Sequence, residues 1–156
     1  SARAFERLEE SGMQVQQILK DKADDGVVTV TPDATVAAAA KVLAERRIGG
    51  VVISEDGQTP LGILSERDIV RVLGTEGPDV LSWRVDALMT KDLKTCSRDD
   101  DSNVVLARMT KGRFRHLPVI EDGVMVGMIS IGDVVAAQIS ELSMEKEALQ
   151  GMIMGF

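Results

Sequence analysis

Residues 61–70 read LGILSERDIV, and residues 126–135 read VGMISIGDVV. Both carry one frame: glycine, two apolar residues, serine, two variable positions, aspartate. Gly62, Ser65 and Asp68 thus fall on Gly127, Ser130 and Asp133, an offset of 65. Upstream the match continues at an offset of 66, with Thr29 on Thr95, Asp33 on Asp99 and the EDG at 55–57 on the EDG at 121–123; the first copy holds one extra residue between. Further back, VQQIL at 15–19 resembles VDALM at 85–89. Self-similarity at a fixed period marks a duplicated structural unit. The copies cover residues 13–75 and 83–142, and the connection at 76–82 lies within GTEGPDVLS, whose glycine and proline interrupt regular structure. Residues 1–12 form an N-terminal extension, either amphipathic through Phe5 and Leu8 or foreign to the native chain, and residues 143–156 form a C-terminal tail.

Each copy predicts the same elements. A short strand (VVTV at 27–30, KTC at 94–96) runs into a cap-rich TPDAT or SRDDDS, and a helix follows over 36–46 or 103–111 at helical apolar spacing. A hairpin comes next, VVIS and LGIL around the first EDG, LPVI and MVGMI around the second. A second helix starts at Ser65 or Ser130. One such β-α-β-β-α unit is too small to cover both faces of its sheet, and two copies packed sheet to sheet solve that. The expected class is mixed α/β, with pseudo-twofold symmetry between the units.

Composition narrows the function. The 156 residues are 44% hydrophobic with three Phe, one Trp and no Tyr, so the core is aliphatic. A net charge of −7 opposes general binding to nucleic acid, although a few converging basic residues suffice for one phosphate. The lone Cys96 reads as a buried, inert thiol, and no Cys/His spacing suits structural zinc. No apolar run approaches the roughly 18 residues of a membrane helix. The expectation is a soluble cytoplasmic protein without a membrane or metal partner.

The repeated Ser-x-x-Asp sits where a strand becomes a helix, and two readings stand there. Serine at an N-cap with an acid three residues on forms a capping box that satisfies orphan amides with no ligand. The same corner also suits a nucleotide: a helix N-terminus attracts phosphate, a hydroxyl donates to it, and a carboxylate accepts from both hydroxyls of a ribose. Gly62 and Gly127 leave space for a flat base.

Taken together, GILSERD, RHLPVIEDG and GMISIGD in register resemble a tandem of CBS domains, the Bateman module, and most of all its small stand-alone bacterial members. The resemblance covers residues 13–142 and implies regulation rather than catalysis. Such modules bind AMP, ADP, ATP, NAD(H) or S-adenosylmethionine in composite clefts between the two units and assemble as homodimers, commonly flat discs. One cleft would combine Ile63, Ser65, Arg67 and Asp68 with Leu93, Lys94, Phe114, Arg115 and His116. There Asp68 would hold the ribose, Ser65 a phosphate, and Ile63 and Leu93 the adenine, while Arg67, Arg115 and His116 supply cationic donors. The second would combine Met128, Ser130 and Asp133 with Val27, Val28, Ile48, Gly49 and Gly50. It is poorer in cations, since Gly49, Gly50 and Gly132 stand for Arg115, His116 and Arg67.

No Ser/His/Asp or Cys/His arrangement has an identifiable third member, so no enzyme is expected. Arg113, Arg115 and His116 each also admit a plain structural reading. The acidic run Asp99–Asp101 reads as helix-capping rather than metal-binding. Leu142, Leu149, Met152 and Ile153 give the tail an apolar face suited to the dimer contact. Two functions remain in view: an adenosine-nucleotide sensor that signals to an unknown partner protein by conformational change, and a constitutive interaction scaffold with no ligand.

Overall fold

The computed structural model describes residues 12–22 and 26–153. In chain order the elements are α1 (Val15–Asp21), β1 (Thr29–Val30), α2 (Val36–Arg46), β2 (Gly50–Ile53), β3 (Gly62–Ser65), α3 (Glu66–Glu76), two 3-10 turns (Pro78–Ser82 and Val85–Ala87), α4 (Ser102–Gly112), β4 (His116–Glu121), β5 (Val124–Ser130) and α5 (Ile131–Ile153). The extension before residue 12 lies outside the described residues. The mixed α/β class expected from the sequence is what forms. Packing divides the described chain into two compact units: residues 26–95 with 120–127, the Ser65 unit, and residues 12–22, 96–119 and 128–153, the Ser130 unit.

The Ser65 unit is built on a three-stranded sheet in the order β1-β2-β3, β1 parallel to β2 and β2 antiparallel to β3. Strand β2, GVVI, is buried at every position, so it reads as a continuous apolar run; β3, GILS, alternates. Helix α2 contributes Val36, Ala39 and Leu43, one face at helical spacing, to a core shared with Val51, Ile53, Leu64, Ile69 and Val85. Its ends are set locally. Thr35 Oγ1 accepts from the Ala38 amide at 3.1 Å, and Arg47 closes the helix in the left-handed region at φ 54°. The loop after β2 is tied by the buried Ser54, whose hydroxyl donates to the Thr59 carbonyl at 2.7 Å. Asp56 accepts there from the amides of Thr59 and Gln58, which holds its carboxyl below the usual range.

In the Ser130 unit, α1, α4 and α5 bury Val15, Ile18, Val105, Met109, Val134 and Ala137 with Leu117, Val119 and Ile129 of the hairpin strands. Asp101 caps α4 through the Asn103 amide at 2.8 Å, as the acidic run suggests. The hairpin turns on Asp122 and Gly123, both at positive φ (51° and 78°), the backbone of a type I′ turn. The first EDG does not repeat this: a longer loop, residues 54–61, joins β2 to β3.

The leading strands are shorter than the sequence predicts. Only Thr29–Val30 pairs in the first copy, and the second keeps a single bridge, Cys96 to Val119. The cause of the second lies in Pro118, which stands where Val52 stands in the first copy. The Val52 amide donates to the Val28 carbonyl at 3.2 Å; proline has no N–H for the equivalent bond, and the ladder stops at Cys96.

The lead-in segments are exchanged between copies. VQQIL docks on the second copy: the Val15 and Gln16 amides donate to the carbonyls of Asp100 and Arg98, each at 2.9 Å, and Ser102 N–H donates to the Met13 carbonyl at 2.8 Å. VDALM docks on the first in the same way, with Val85 N–H on the Ala34 carbonyl at 2.8 Å and Val36 N–H on the Trp83 carbonyl at 2.9 Å. Helix α5 runs unbroken through the 142–143 boundary into the tail, where Leu142, Leu149, Met152 and Ile153 are exposed.

Candidate functional site

At both strand-to-helix corners the serine and aspartate lock onto each other. Ser65 Oγ accepts from the Asp68 amide at 3.2 Å, and Asp68 Oδ2 accepts from the Ser65 amide at 3.0 Å and the Ser65 hydroxyl at 2.9 Å. This is a full capping box. The second copy repeats it, with Asp133 N–H on Ser130 Oγ at 3.1 Å and Ser130 N–H on Asp133 Oδ2 at 2.8 Å. The box engages only Oδ2 of either carboxylate. At the first corner Asp68 Oδ1 accepts from Arg71 at 3.2 Å. At the second, the ammonium of Lys22 reaches Asp133 Oδ2 at 2.9 Å and the Met128 carbonyl at 3.0 Å.

The residues expected to form each cleft are divided between the two compact units, and each has its neighbours within its own unit. Ser65 is paired across the sheet with Gly50, and the next amide, Glu66, donates to the Gly49 carbonyl at 2.9 Å. In the Ser130 unit the Ile131 amide donates to the Arg115 carbonyl at 2.8 Å, so Arg115 and His116 take the places of Gly49 and Gly50 beside the corner. Val28 and Ile48 pack onto the core of the Ser65 unit, and Val27 is half-buried. Ile63 is half-buried and bridged to Thr90, its amide donating at 3.1 Å and its carbonyl accepting at 2.8 Å. Leu93, Phe114, His116 and Met128 are half-buried; Arg67 and Arg115 are exposed, as is Lys94, which pairs with Asp92 at 3.3 Å.

Gly62 has a different role from the one expected. A side chain there would meet Met89 Sδ at 2.5 Å and the Thr90 carbonyl oxygen at 2.9 Å, so its space is filled by the segment after the second 3-10 turn, not held open for a base. Sequence reading also missed Lys22 and Arg71. Arg71 was legible, one helical turn beyond Asp68. Lys22 was not, lying 111 residues from its partner.

A cavity of about 260 Å³ opens beside the Lys22–Asp133 pair in the Ser130 unit, lined among others by Met13, Ile18, Ala137 and Ser140. Its size falls just under the roughly 300–1,000 Å³ usual for small-molecule pockets. Among the described residues no group of three or more His, Cys, Asp or Glu is placed to hold a metal ion. Cys96 is buried, and desolvation aided by the nearby Asp100 pushes its thiol up to about 12, against the opposing charge of Arg108.

The family model described as the CBS domain matches twice, at residues 15–75 and 85–140. The chain belongs to the CBS-domain family. This CBS pair is 36% identical to a mitochondrial CBS domain-containing protein of Arabidopsis thaliana, over 96% of this chain and 77% of that one. A solved CBS-domain protein of Agrobacterium tumefaciens is 40% identical, covers 81% of this chain and 99% of its own, and superposes with a TM-score of 0.77. A CBS domain protein of Pyrobaculum aerophilum, solved in complex with AMP, shares the fold at 24% identity and a TM-score of 0.67, over 78% of this chain and 89% of its own. Among the described residues, no helix of the CBS pair is long and apolar enough to cross a membrane.

Proposed function

We propose that this CBS pair is a sensor of adenosine nucleotides, AMP, ATP or NAD(H), that regulates a partner protein and catalyses nothing. The observation that carries the reading is the duplicated corner at which each capping box engages a single carboxylate oxygen. Capping the helix and gripping a ribose are therefore compatible, and Asp68 and Asp133 serve both. A fold relative solved with AMP supports the choice of ligand by analogy of fold. Ile63, Ser65, Arg67 and Asp68 with Leu93, Lys94, Phe114, Arg115 and His116 line the first seam in this reading. Val27, Val28, Ile48, Gly49 and Gly50 with Met128, Ser130 and Asp133 line the second. Signalling requires that the nucleotide bind one arrangement of the units more tightly than another; equal affinity for both transmits nothing.

A scaffold without a ligand is the second reading, favoured by the fact that both aspartates already have structural employment in the boxes. Melting with and without AMP separates the two. A ligand at 100 times its dissociation constant adds about 2.7 kcal/mol, several degrees for a chain of this size. Asp68→Asn keeps an oxygen for the Ser65 amide and removes the charge. We expect it to weaken AMP binding in calorimetry about tenfold, in line with the roughly 1.5–3 kcal/mol of hydrogen bonds to charged groups. Unchanged affinity removes Asp68 from the site, and no response to any adenosine compound leaves the scaffold.

A further inference from the structure

Helix α5 outruns the second family match, which ends at residue 140, and it carries an uncovered stripe across that boundary. Val135, Ile139, Leu142, Lys146, Leu149 and Ile153 recur at steps of 4, 3, 4, 3 and 4 residues. This is a seven-residue repeat whose two inward positions are apolar everywhere except at Lys146. The five apolar members are 40–84% exposed, so nothing in the described chain covers them. The helix meets its own unit on a different face, through Val134 and Ala137. At 1.5 Å per residue the stripe is about 27 Å long, and its period is the one that packs knobs into holes against a second helix.

The stripe is its own complement when a second copy runs antiparallel to it. With the twofold at Met144, Val135 faces Ile153, Ile139 faces Leu149 and Leu142 faces Lys146, so all six positions are matched. A parallel pair sets each residue against itself, and two Lys146 ammoniums then meet in the middle of an apolar seam. Like charges brought together out of water disfavour that arrangement. In the antiparallel pair each Lys146 lies against a leucine and beside the partner's Glu145, which flanks the stripe. Among the described residues no ion pair reaches Lys146 or Glu145. Burial, then Asp101 and Glu145, lift the nearby Glu141 carboxyl above its usual range, so this edge of the helix has acid in excess. We propose that α5 pairs antiparallel with α5 of a second copy, and that Lys146 sets the direction. A single charged residue inside an otherwise apolar repeat fixes register and orientation at some cost in stability. Each tail, residues 144–153, then covers Val135 and Ile139 of the partner subunit. The pairing is independent of the nucleotide reading.

The test uses the full chain carrying Ile139→Cys and Leu149→Cys together, with the wild type as control for the buried Cys96. On one helix the two sites are about 15 Å apart, too far for an internal disulfide. After mild oxidation, cleavage after glutamate separates the two introduced cysteines, because Glu141, Glu145 and Glu147 lie between them. Mass spectrometry of the linked peptides should find the 139–149 linkage about tenfold more abundant than 139–139 and 149–149 combined. Adding Lys146→Leu removes the charge that forbids the parallel pair, and the 139–139 share should rise at least fivefold. In chains without the added cysteines, Lys146→Glu should weaken the dimer about tenfold in sedimentation equilibrium, and Lys146→Glu with Glu145→Lys should recover most of the loss. Each variant is checked by its melting curve, and all these sites are exposed or half-buried. Self-linked peptides dominating in the wild-type background overturn the antiparallel pairing. A monomer in sedimentation, or a dimer that yields no linkage at either cysteine, overturns the stripe as a contact. An unchanged linkage pattern in Lys146→Leu overturns the role of the lysine.

Discussion

Replacing Gly62 with alanine separates a packing role from a ligand role at the repeated motif. The added Cβ would lie 2.5 Å from Met89 Sδ, 2.7 Å from Met89 Cγ and 2.9 Å from the Thr90 carbonyl oxygen. Met89 can swing away. Thr90 cannot retreat freely, because its carbonyl accepts from the Ile63 amide at 3.1 Å and its own amide donates to the Ile63 carbonyl at 2.8 Å. Relief therefore requires stretching this bridge, and overpacking of this kind costs about 1–3 kcal/mol. At about 2–4 °C per kcal/mol for a chain of this length, a cost near 2 kcal/mol lowers the melting temperature by about 4–8 °C. Gly74→Ala is the matched control. It lies in α3 with nothing within 4 Å of its would-be Cβ, so relief of the glycine penalty, roughly 0.5–1 kcal/mol, should raise the melting temperature by about 1–4 °C. Both are read by circular dichroism or scanning calorimetry. A Gly62→Ala protein that melts at or above the wild type would refute the reasoning, and if it also lost AMP affinity the glycine would be reassigned to the ligand.

Other consequences concern Cys96 and the tail. Because burial raises the Cys96 thiol to about 12 from an ordinary 9.0, the folded chain holds a proton there that the unfolded chain releases. That contribution is complete below pH 9, and stability should decline as pH rises from about 9 toward 12. Denaturant titrations across this range should show a shallower decline in Cys96→Val; an identical slope would contradict the assignment. The exposed apolar side chains of the α5 extension (Leu149 59%, Met152 76%, Ile153 84%) are proposed to carry part of a homodimer contact. Deleting residues 144–156 should weaken self-association by at least tenfold in sedimentation equilibrium, and an undisturbed dimer would reject that role.

Much of the fold was legible because its signals are local. Helix α2 spans Val36–Arg46 as the apolar spacing after Thr35 predicts, and Asp101 caps α4 as its acidic run suggests. The capping boxes likewise lie within three residues of chain, so Ser65-x-x-Asp68 and Ser130-x-x-Asp133 advertise themselves. The strand over 94–96 was less legible, since its partner's missing donor, Pro118, lies in a distant segment. Gly62 misled for a similar reason: what fills the space beside it is Met89 and Thr90, which no local pattern names.

By itself, then, the sequence determined the duplication, the elements of each copy and the two aspartates at matching helix starts, because each depends on spacing or on neighbours within a turn. Only the tertiary structure decided which copy each lead-in joins. The pattern of VQQIL says that Val15 and Ile18 must be buried, but two similar copies offer similar surfaces, and the choice rests on backbone bonds to Asp100 and Arg98 far along the chain. That choice carries Lys22 to Asp133, and so makes two corners with the same motif chemically unequal.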